Sequence, residues 1–343
     1  MSDAVRLVIW AQSVCRSTMA LYREVKRLAG VEATVVLRAD DRADATRRLR
    51  EAQGQEDCSD VVDVVWDGAF ASGVELLDKG RVHVFSGYQV SAAVRHLMVE
   101  AKRRGYRVVG YDEAPCEMCL GGRAFLKRLY YAMVLPMRVR RAVEAADLFI
   151  SASGNMGMER LVRLGWKREA IVPFGYVSPR LGEGEIDGRG REGGKLRVLH
   201  LGSEAGYRGV AVAERAVAMV EGIEFVKTGG GLGVAELVAE IRRADVVVAC
   251  GLCEPWGMRV NDVLLEGVPV VVSDGMGAAM LCDAYGCGCV VPKGDARALA
   301  AVLRRCAEDR EFYGHLKSGA MKAARALLPQ NMAREWVDKV VGR

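Results

Sequence analysis

No apolar run in the 343-residue chain approaches the ~18 to 20 uninterrupted residues that a membrane-crossing helix requires, so no transmembrane segment is expected. The N-terminus, Met1-Ser-Asp-Ala-Val-Arg-Leu, passes straight into a strand pattern without a charged-then-apolar leader, which points to cytoplasmic residence. There is no D-x-D pair at the end of a strand to hold a divalent cation against a phosphate. Asp40-Asp41, between a strand and a helix, reads as a cap, and no metal is expected. The Gly229-Gly-Gly-Leu-Gly233 turn lacks the context of a G-x-G-x-x-G dinucleotide loop. Positive charge is only slightly in excess, 49 Lys and Arg against 44 acids for a net +5, and no recognised nucleic-acid module is present, so nucleic acid is not an expected partner. Secretory disulfides are not expected either: ten cysteines without a leader read as reduced thiols. Two C-x2-C pairs, Cys116/Cys119 and Cys250/Cys253, have zinc-like spacing, but the second lies inside a strand-helix unit and reads as small buried thiols.

What is present is alternation. Val5 to Trp10, Ala33 to Leu37, Val61 to Trp66, Val82 to Phe85, Arg107 to Tyr111 and Leu148 to Ser151 read as strands. Helical patterns at Ser17 to Leu28, Asp41 to Ala52, Ala69 to Leu77 and Ser91 to Arg104 separate them, which predicts a doubly wound parallel sheet. Ser178 to Gly194, rich in glycine and alternating charge with little to bury, reads as a linker. Strand and helix patterns then resume from Leu196. The expected division is a first α/β domain over 1–177, a linker over 178–195, a second α/β domain over 196–328 and a last helix over 329–343 that carries Trp336.

The segment Ala244 to Asp274 organises the second half. Two β-branched runs, Val246 to Val248 and Val268 to Val272, flank a Gly- and Pro-containing turn and a helix, a βαβ unit. Parallel sheets carry ligands beyond the carboxyl ends of their strands, here the turn from Cys250 to Gly257. Glu254 stands just before a helix start whose amides, at Gly257 and Met258, suit a phosphate. Asp262 follows two helical turns on, towards the same side of the cleft. Two carboxylates beside an anion-binding helix end suit a ligand with both hydroxyls and phosphates, a nucleotide sugar.

Glu254-Pro-Trp-Gly-Met, Asp262, Gly267-Val-Pro-Val-Val-Val-Ser-Asp and Val291-Pro-Lys-Gly-Asp295 resemble the C-terminal half of the retaining glycosyltransferases of family four, glycosyl transferases group 1, which have the GT-B fold. Asp262 stands where the family's E-x7-E pattern has its second Glu. Leu196 to Ser203 followed by Tyr207-Arg-Gly-Val210 resembles the family's "G-R-…-K-G" pattern, with Arg208 at the second basic position and Ser203 or Glu204 at the first. The loop after the first strand, with Gln12, Ser13 and Arg16, lacks the family's frequent glycines.

The resemblance implies two Rossmann-like domains facing across a cleft, and transfer of a sugar from a nucleoside diphosphate with retention and without a cofactor or metal. It implies Arg208 and the amides of Gly257 and Met258 on the diphosphate, Glu254 at the donor sugar and its oxocarbenium-like centre, and Asp262 on the ribose hydroxyls. Arg259 is a candidate for the missing phosphate charge or for the acceptor, and Ser203 a further donor-side candidate. His83 stands near a cleft histidine of the family, with Phe85 or Ser86 as alternatives in register, although a histidine in a strand is commonly a hydrogen-bonded core residue. Asp112 and Glu113 end a strand as acceptor-side candidates or caps. Glu266, in the last turn before Gly267, reads as a surface contact.

From Gly121 to Val143 six Arg and Lys residues occur without a single acid, interleaved with Phe125, Leu129, Tyr130, Tyr131, Met133 and Leu135. Such a helix fits an anionic membrane surface, which would make the protein peripheral at the inner face and bring it to a lipid-linked acceptor; a solvated basic face, or a groove for an anionic glycan, fits the same residues. Two other readings of the whole chain stand beside the transferase: a nucleotide-sugar epimerase, and a catalytically silent GT-B protein that serves as a binding partner.

Overall fold

The computed structural model describes residues 4–39, 58–186, 194–201, 205–228 and 231–342. The helix expected over Asp41 to Ala52, the Asp40-Asp41 pair, Ser203, Glu204 and the first two glycines of the Gly229 turn lie outside the described residues.

Two parallel sheets form the frame. The first joins β1 (Val5–Ala11), β2 (Val31–Arg38), β3 (Val64–Trp66), β4 (Val82–Phe85), β5 (Arg107–Asp112), β6 (Leu148–Ser151) and β7 (Ile171–Pro173) in the order β3-β2-β1-β4-β5-β6-β7. The second joins β8 (Leu196–Leu201), β9 (Ile223–Thr228), β10 (Val246–Ala249), β11 (Val270–Ser273) and β12 (Gly288–Val291) in the order β12-β11-β10-β8-β9. The central strands are apolar on both faces because helices cover both faces of each sheet; Val246, Val248, Val270 and Val271 are all buried. β3 is shorter than its apolar run. Among the described residues it is an edge strand paired only with β2, and the amides of Val61 and Val62 are spent on a turn to the Cys58 carbonyl.

Each strand order reverses once, between β1 and β4 and between β8 and β10, and a doubly wound sheet binds ligands at such a point. One continuous apolar core reaches from the first sheet to the second, including Tyr111, Phe174, Trp256, Val260 and Trp336. The last helix, Pro329–Val341, packs on the helix Arg16–Arg27, and the fully buried Trp336 meets Tyr111 edge-on at 5.6 Å.

The basic segment is two helices, Gly122–Leu129 and Leu135–Ala145, joined by a widened turn over Tyr130–Val134. Pro136 explains the break: it has no amide for the preceding turn, and the Leu135 amide reaches back to the Tyr130 carbonyl instead.

The linker is less free at its start than its composition suggests. Glu266, read from sequence as a surface contact, is 2 % exposed. It accepts the Gly182 amide at 2.9 Å and pairs with Arg242 at 2.8 Å and Arg180 at 3.5 Å. A carboxylate this buried needs such partners, and by taking them it holds the beginning of the hinge against the second domain.

Candidate donor site between the two sheets

Arg208 and Glu254 flank the reversal point of the second sheet, one in the loop after β8 and the other in the loop after β10. Two backbone contacts bring these loops together. The Leu252 amide donates to the Tyr207 carbonyl at 2.7 Å, and Gly209, at φ +72°, lies so close to Cys250 that a Cβ there would sit 2.0 Å from its carbonyl oxygen. Only glycine fits. Arg208 is half-buried, its Nε has no hydrogen-bond partner, and its guanidinium lies 5.7 Å from the Tyr207 ring. Such a donor is placed for something else to accept from it.

Glu254 is fixed by its backbone, its amide donating to the Gly275 carbonyl at 2.9 Å. Burial raises the carboxyl above its ordinary range, while the positive charge of Arg208 pulls it back and Cys253 pushes it up. Gly257 closes the turn at φ +100°, where a Cβ would meet the Met276 methyl at 2.2 Å. Met258 is the N-cap of the short helix Arg259–Leu265.

Asp262 is buried, and it is engaged: Arg16 of the first domain approaches at 3.3 Å and Arg259 at 3.1 Å. Burial raises its carboxyl and the two guanidinium groups oppose this. In this arrangement Asp262 ties the domains together rather than facing an open ribose site, and Arg259 is turned to Asp262 rather than to a diphosphate. Arg16 also donates to the Pro179 carbonyl at 3.2 Å, so the glycine-free first loop contributes an inter-domain bond.

His83 is not a cleft residue. It is fully buried, Trp10 Nε1 donates to its Nδ1 at 3.2 Å, and its Nε2 donates to the Asp78 carbonyl at 3.1 Å. Rings of Phe85 and Tyr106 stack beside it. It occupies the start of β4, away from the carboxyl ends of the strands, and burial lowers its pKa, keeping it neutral.

Glu113 connects through Tyr176 to the second domain, while the hydrogen bonds of Asp112 stay within the first. Asp112 accepts the amides of Gly87 at 3.1 Å and Glu113 at 2.9 Å, and Glu113 accepts from the Tyr176 hydroxyl. Tyr176 in turn accepts from Asn261 Nδ2 of the second domain at 2.9 Å through its carbonyl. Burial, reinforced by the charge of Glu113, pushes the Asp112 carboxyl up to about 7 against the two amides. A carboxyl raised by folding favours the folded state while protonated, and that contribution is lost as pH rises from about 4 through its folded pKa. Urea denaturation at about pH 5 and about pH 8 is expected to show wild type losing stability on the order of 2–4 kcal/mol more than Asp112→Asn. Equal losses would refute a folded pKa this high.

Sequence reasoning passed over Trp256 and Asn261. Trp256 Nε1 donates to Asn261 Oδ1 at 2.6 Å, and its ring lies on Gly175 of the first domain. The only local sign was a Trp inside the loop after a buried strand. It also passed over Arg160, which ties the Pro115 carbonyl and Glu117 to the loop bearing Cys253.

Residues 217–323 match the family model described as glycosyl transferases group 1. Among solved structures the chain is similar to HepE of Anabaena in complex with UDP, at 15 % identity over 99 % of this chain and 100 % of that one, with a TM-score of 0.65. Sucrose-phosphate synthase of Thermosynechococcus elongatus is similar at 14 % identity over 98 % of each chain, TM-score 0.62. UDP-GlcNAc 2-epimerase of Neisseria meningitidis bound to UDP-GlcNAc follows at 9 % identity over 99 % and 100 %, TM-score 0.52. No curated protein matches the chain by sequence. The likeness to these structures shows a GT-B fold, and within it residues 217–323 match the group 1 glycosyltransferase model.

Proposed function

We propose that the protein is a retaining glycosyltransferase that moves a hexosyl residue from a nucleoside-diphosphate sugar to a glycan or lipid-linked acceptor in cell-surface polysaccharide or glycolipid synthesis. The observation that carries the reading is the pairing of Arg208, with its buried unpartnered Nε, and half-buried Glu254 across the reversal point of the second sheet. When the bond from the sugar's anomeric carbon to the diphosphate breaks, negative charge grows on the leaving oxygens. Preplaced cationic and amide donors stabilise that charge, here Arg208 and the turn at Gly257 and Met258. Glu254 faces the sugar hydroxyls and the positive charge developing on the ring, and the raised pKa caused by its burial is opposed by Arg208. Asp262 reaches ribose only after exchanging Arg16 for the ligand, so donor entry and domain parting are coupled in this reading. The diphosphate is met by protein groups, and no metal is assigned.

Uridine is the base we assign, because HepE was crystallised with UDP, with UDP and glucose, and with UDP-glucose. A thermal-shift panel with UDP, GDP, ADP, TDP and CMP, with and without magnesium, tests this. A ligand at ~100 times its dissociation constant adds ~2.7 kcal/mol of stability, and the expected result is a magnesium-independent shift with UDP. No shift with any nucleotide would favour the silent scaffold. Conversion of the donor sugar to its epimer without acceptor would favour an epimerase.

The acceptor side is assigned to the membrane surface. Phe125, Leu126, Met133 and Met137 are more than half exposed on the basic segment, beside exposed Arg123 and Arg141. No helix among the described residues is long and apolar enough to cross a membrane, so the contact would be peripheral, at the inner face. Co-sedimentation with phosphatidylglycerol vesicles, lost in Phe125→Glu and absent with phosphatidylcholine, is expected; equal partition to both lipids would sink the electrostatic part.

A further inference from the structure

The two C-x2-C pairs do not converge as two pairs. Cys250 turns into the core of the second sheet and is 3 % exposed, whereas Cys253 leaves the loop after β10 towards the first domain. There its Sγ lies 2.8 Å from Cys116 Sγ, in the loop after β5. The two residues are 137 positions apart and both partly exposed. Cys253 Sγ donates to Glu117 Oε2 at 3.1 Å. Arg160 approaches that same oxygen at 3.0 Å and Cys253 Sγ at 3.9 Å.

Two thiols and a carboxylate within 4.8 Å of one another have ligand chemistry for a cation. Arg160 argues against one. Its guanidinium is permanently positive and already occupies hydrogen-bonding positions on Glu117 and Cys253, so a divalent ion would have to displace it. A guanidinium beside a thiol stabilises the thiolate, the nucleophile of disulfide exchange.

We propose that Cys116 and Cys253 form a reversible disulfide that ties the two domains across the cleft and silences the site beside it. The oxidant is a small-molecule disulfide such as glutathione disulfide. Cys253 thiolate attacks one sulfur of that disulfide, forming a mixed disulfide and expelling one thiolate. Cys116 then attacks the Cys253 sulfur, expelling the second glutathione as thiolate, and the protons of the two cysteines end on the two glutathione thiols. Both cysteines are oxidised and one glutathione disulfide is reduced. The division of roles agrees with the local electrostatics. The hydrogen bond from Cys116 pulls the Cys253 thiol down to about 6 against its burial and its hydrogen bond to Glu117, and the same contact raises Cys116. An acidic, accessible cysteine with a second thiol in reach is the arrangement of a redox-sensing pair.

Cys253 adjoins Glu254, so the bond would hold the 250–257 loop on the loop after β5. A donor bound between the sheets enters and leaves as they part, and the crosslink prevents that parting. This consequence rests on the donor-site reading; formation of the bond does not.

The test uses the full-length chain, reduced and then exposed to glutathione disulfide, with non-reducing peptide mass spectrometry. The expected product is a peptide pair linked through Cys116 and Cys253 and released by dithiothreitol. Cys116→Ser should give a glutathione adduct on Cys253 with no link, and Cys119→Ser should still form the link. Oxidised wild type should lose the UDP thermal shift and regain it on reduction, while oxidised Cys116→Ser keeps it. Bonding of Cys116 to Cys119, or a stable adduct on Cys253 of wild type, would overturn the proposal. So would zinc that co-purifies and shields both thiols until chelated. A link that leaves the UDP shift intact would overturn the silencing. A link in a protein that UDP shifts in neither redox state would instead overturn the donor reading and leave the disulfide standing.

Discussion

Arg208→Ala is expected to lower kcat for sugar transfer by about 10²- to 10³-fold while leaving the fold intact. The effect is electrostatic. Arg208 is the cation placed at the reversal point of the second sheet, and its charge already offsets the burial of Glu254. Its half-buried side chain carries an Nε without a partner, so truncation strands no acceptor of that nitrogen, and thermal stability should change little. Arg208→Lys should fall between the two, because the charge survives and the two-pronged geometry does not. A second readout separates this role from a structural one. With Arg208 gone, the pKa of Glu254 should rise further, so the acid limb of the pH–rate profile should move to higher pH. A variant with wild-type kcat and an unmoved limb would remove Arg208 from the site.

Trp256→Ala is expected to destabilise the protein by about 3–5 kcal/mol, the usual range for deleting a buried aromatic side chain. Trp256 is 2 % exposed, and a Cβ on Gly175 would lie 2.3 Å from its ring, so first-domain backbone and second-domain indole touch without an intervening side chain. The substitution would also strip Asn261 Oδ1 of its donor in a residue that is 1 % exposed. Trp256→Phe restores much of the ring contact and not the hydrogen bond, and should cost less. Urea denaturation followed by circular dichroism measures both. A loss below ~1 kcal/mol for the alanine variant would mean that the cavity collapses or that this contact does not hold the domains together. Trp256 lies two residues after Glu254, so activity should fall along with stability.

Much of this molecule is written locally. Most central strands of the two sheets appear in the chain as short apolar runs, since a strand covered by helices on both faces has little polar side to interrupt it. The loops that carry Arg208 and Glu254 were legible for a related reason: in a parallel sheet, the turn after a strand faces the ligand side whatever the rest of the chain does.

What the chain order hides are contacts between residues far apart in it. Nothing near Asp262 announces Arg16, 246 positions away, yet their ion pair joins the two domains. Sequence left His83 open between a cleft residue and a hydrogen-bonded core residue, and only the fold shows Trp10 and the Asp78 carbonyl meeting its two nitrogens. Glu266 looked superficial until Arg180 and Gly182, at the start of the linker, and Arg242 surrounded it. Cys116 and Cys253 belong to separate C-x2-C pairs, and neither spacing indicates that the two sulfurs meet. Periodicity and turn residues report the local backbone and the face it presents, and those decide strands, helices and loops. The partner of a buried charge or thiol is decided only when two sheets close on each other, because burial creates the need for a partner and proximity in space supplies it.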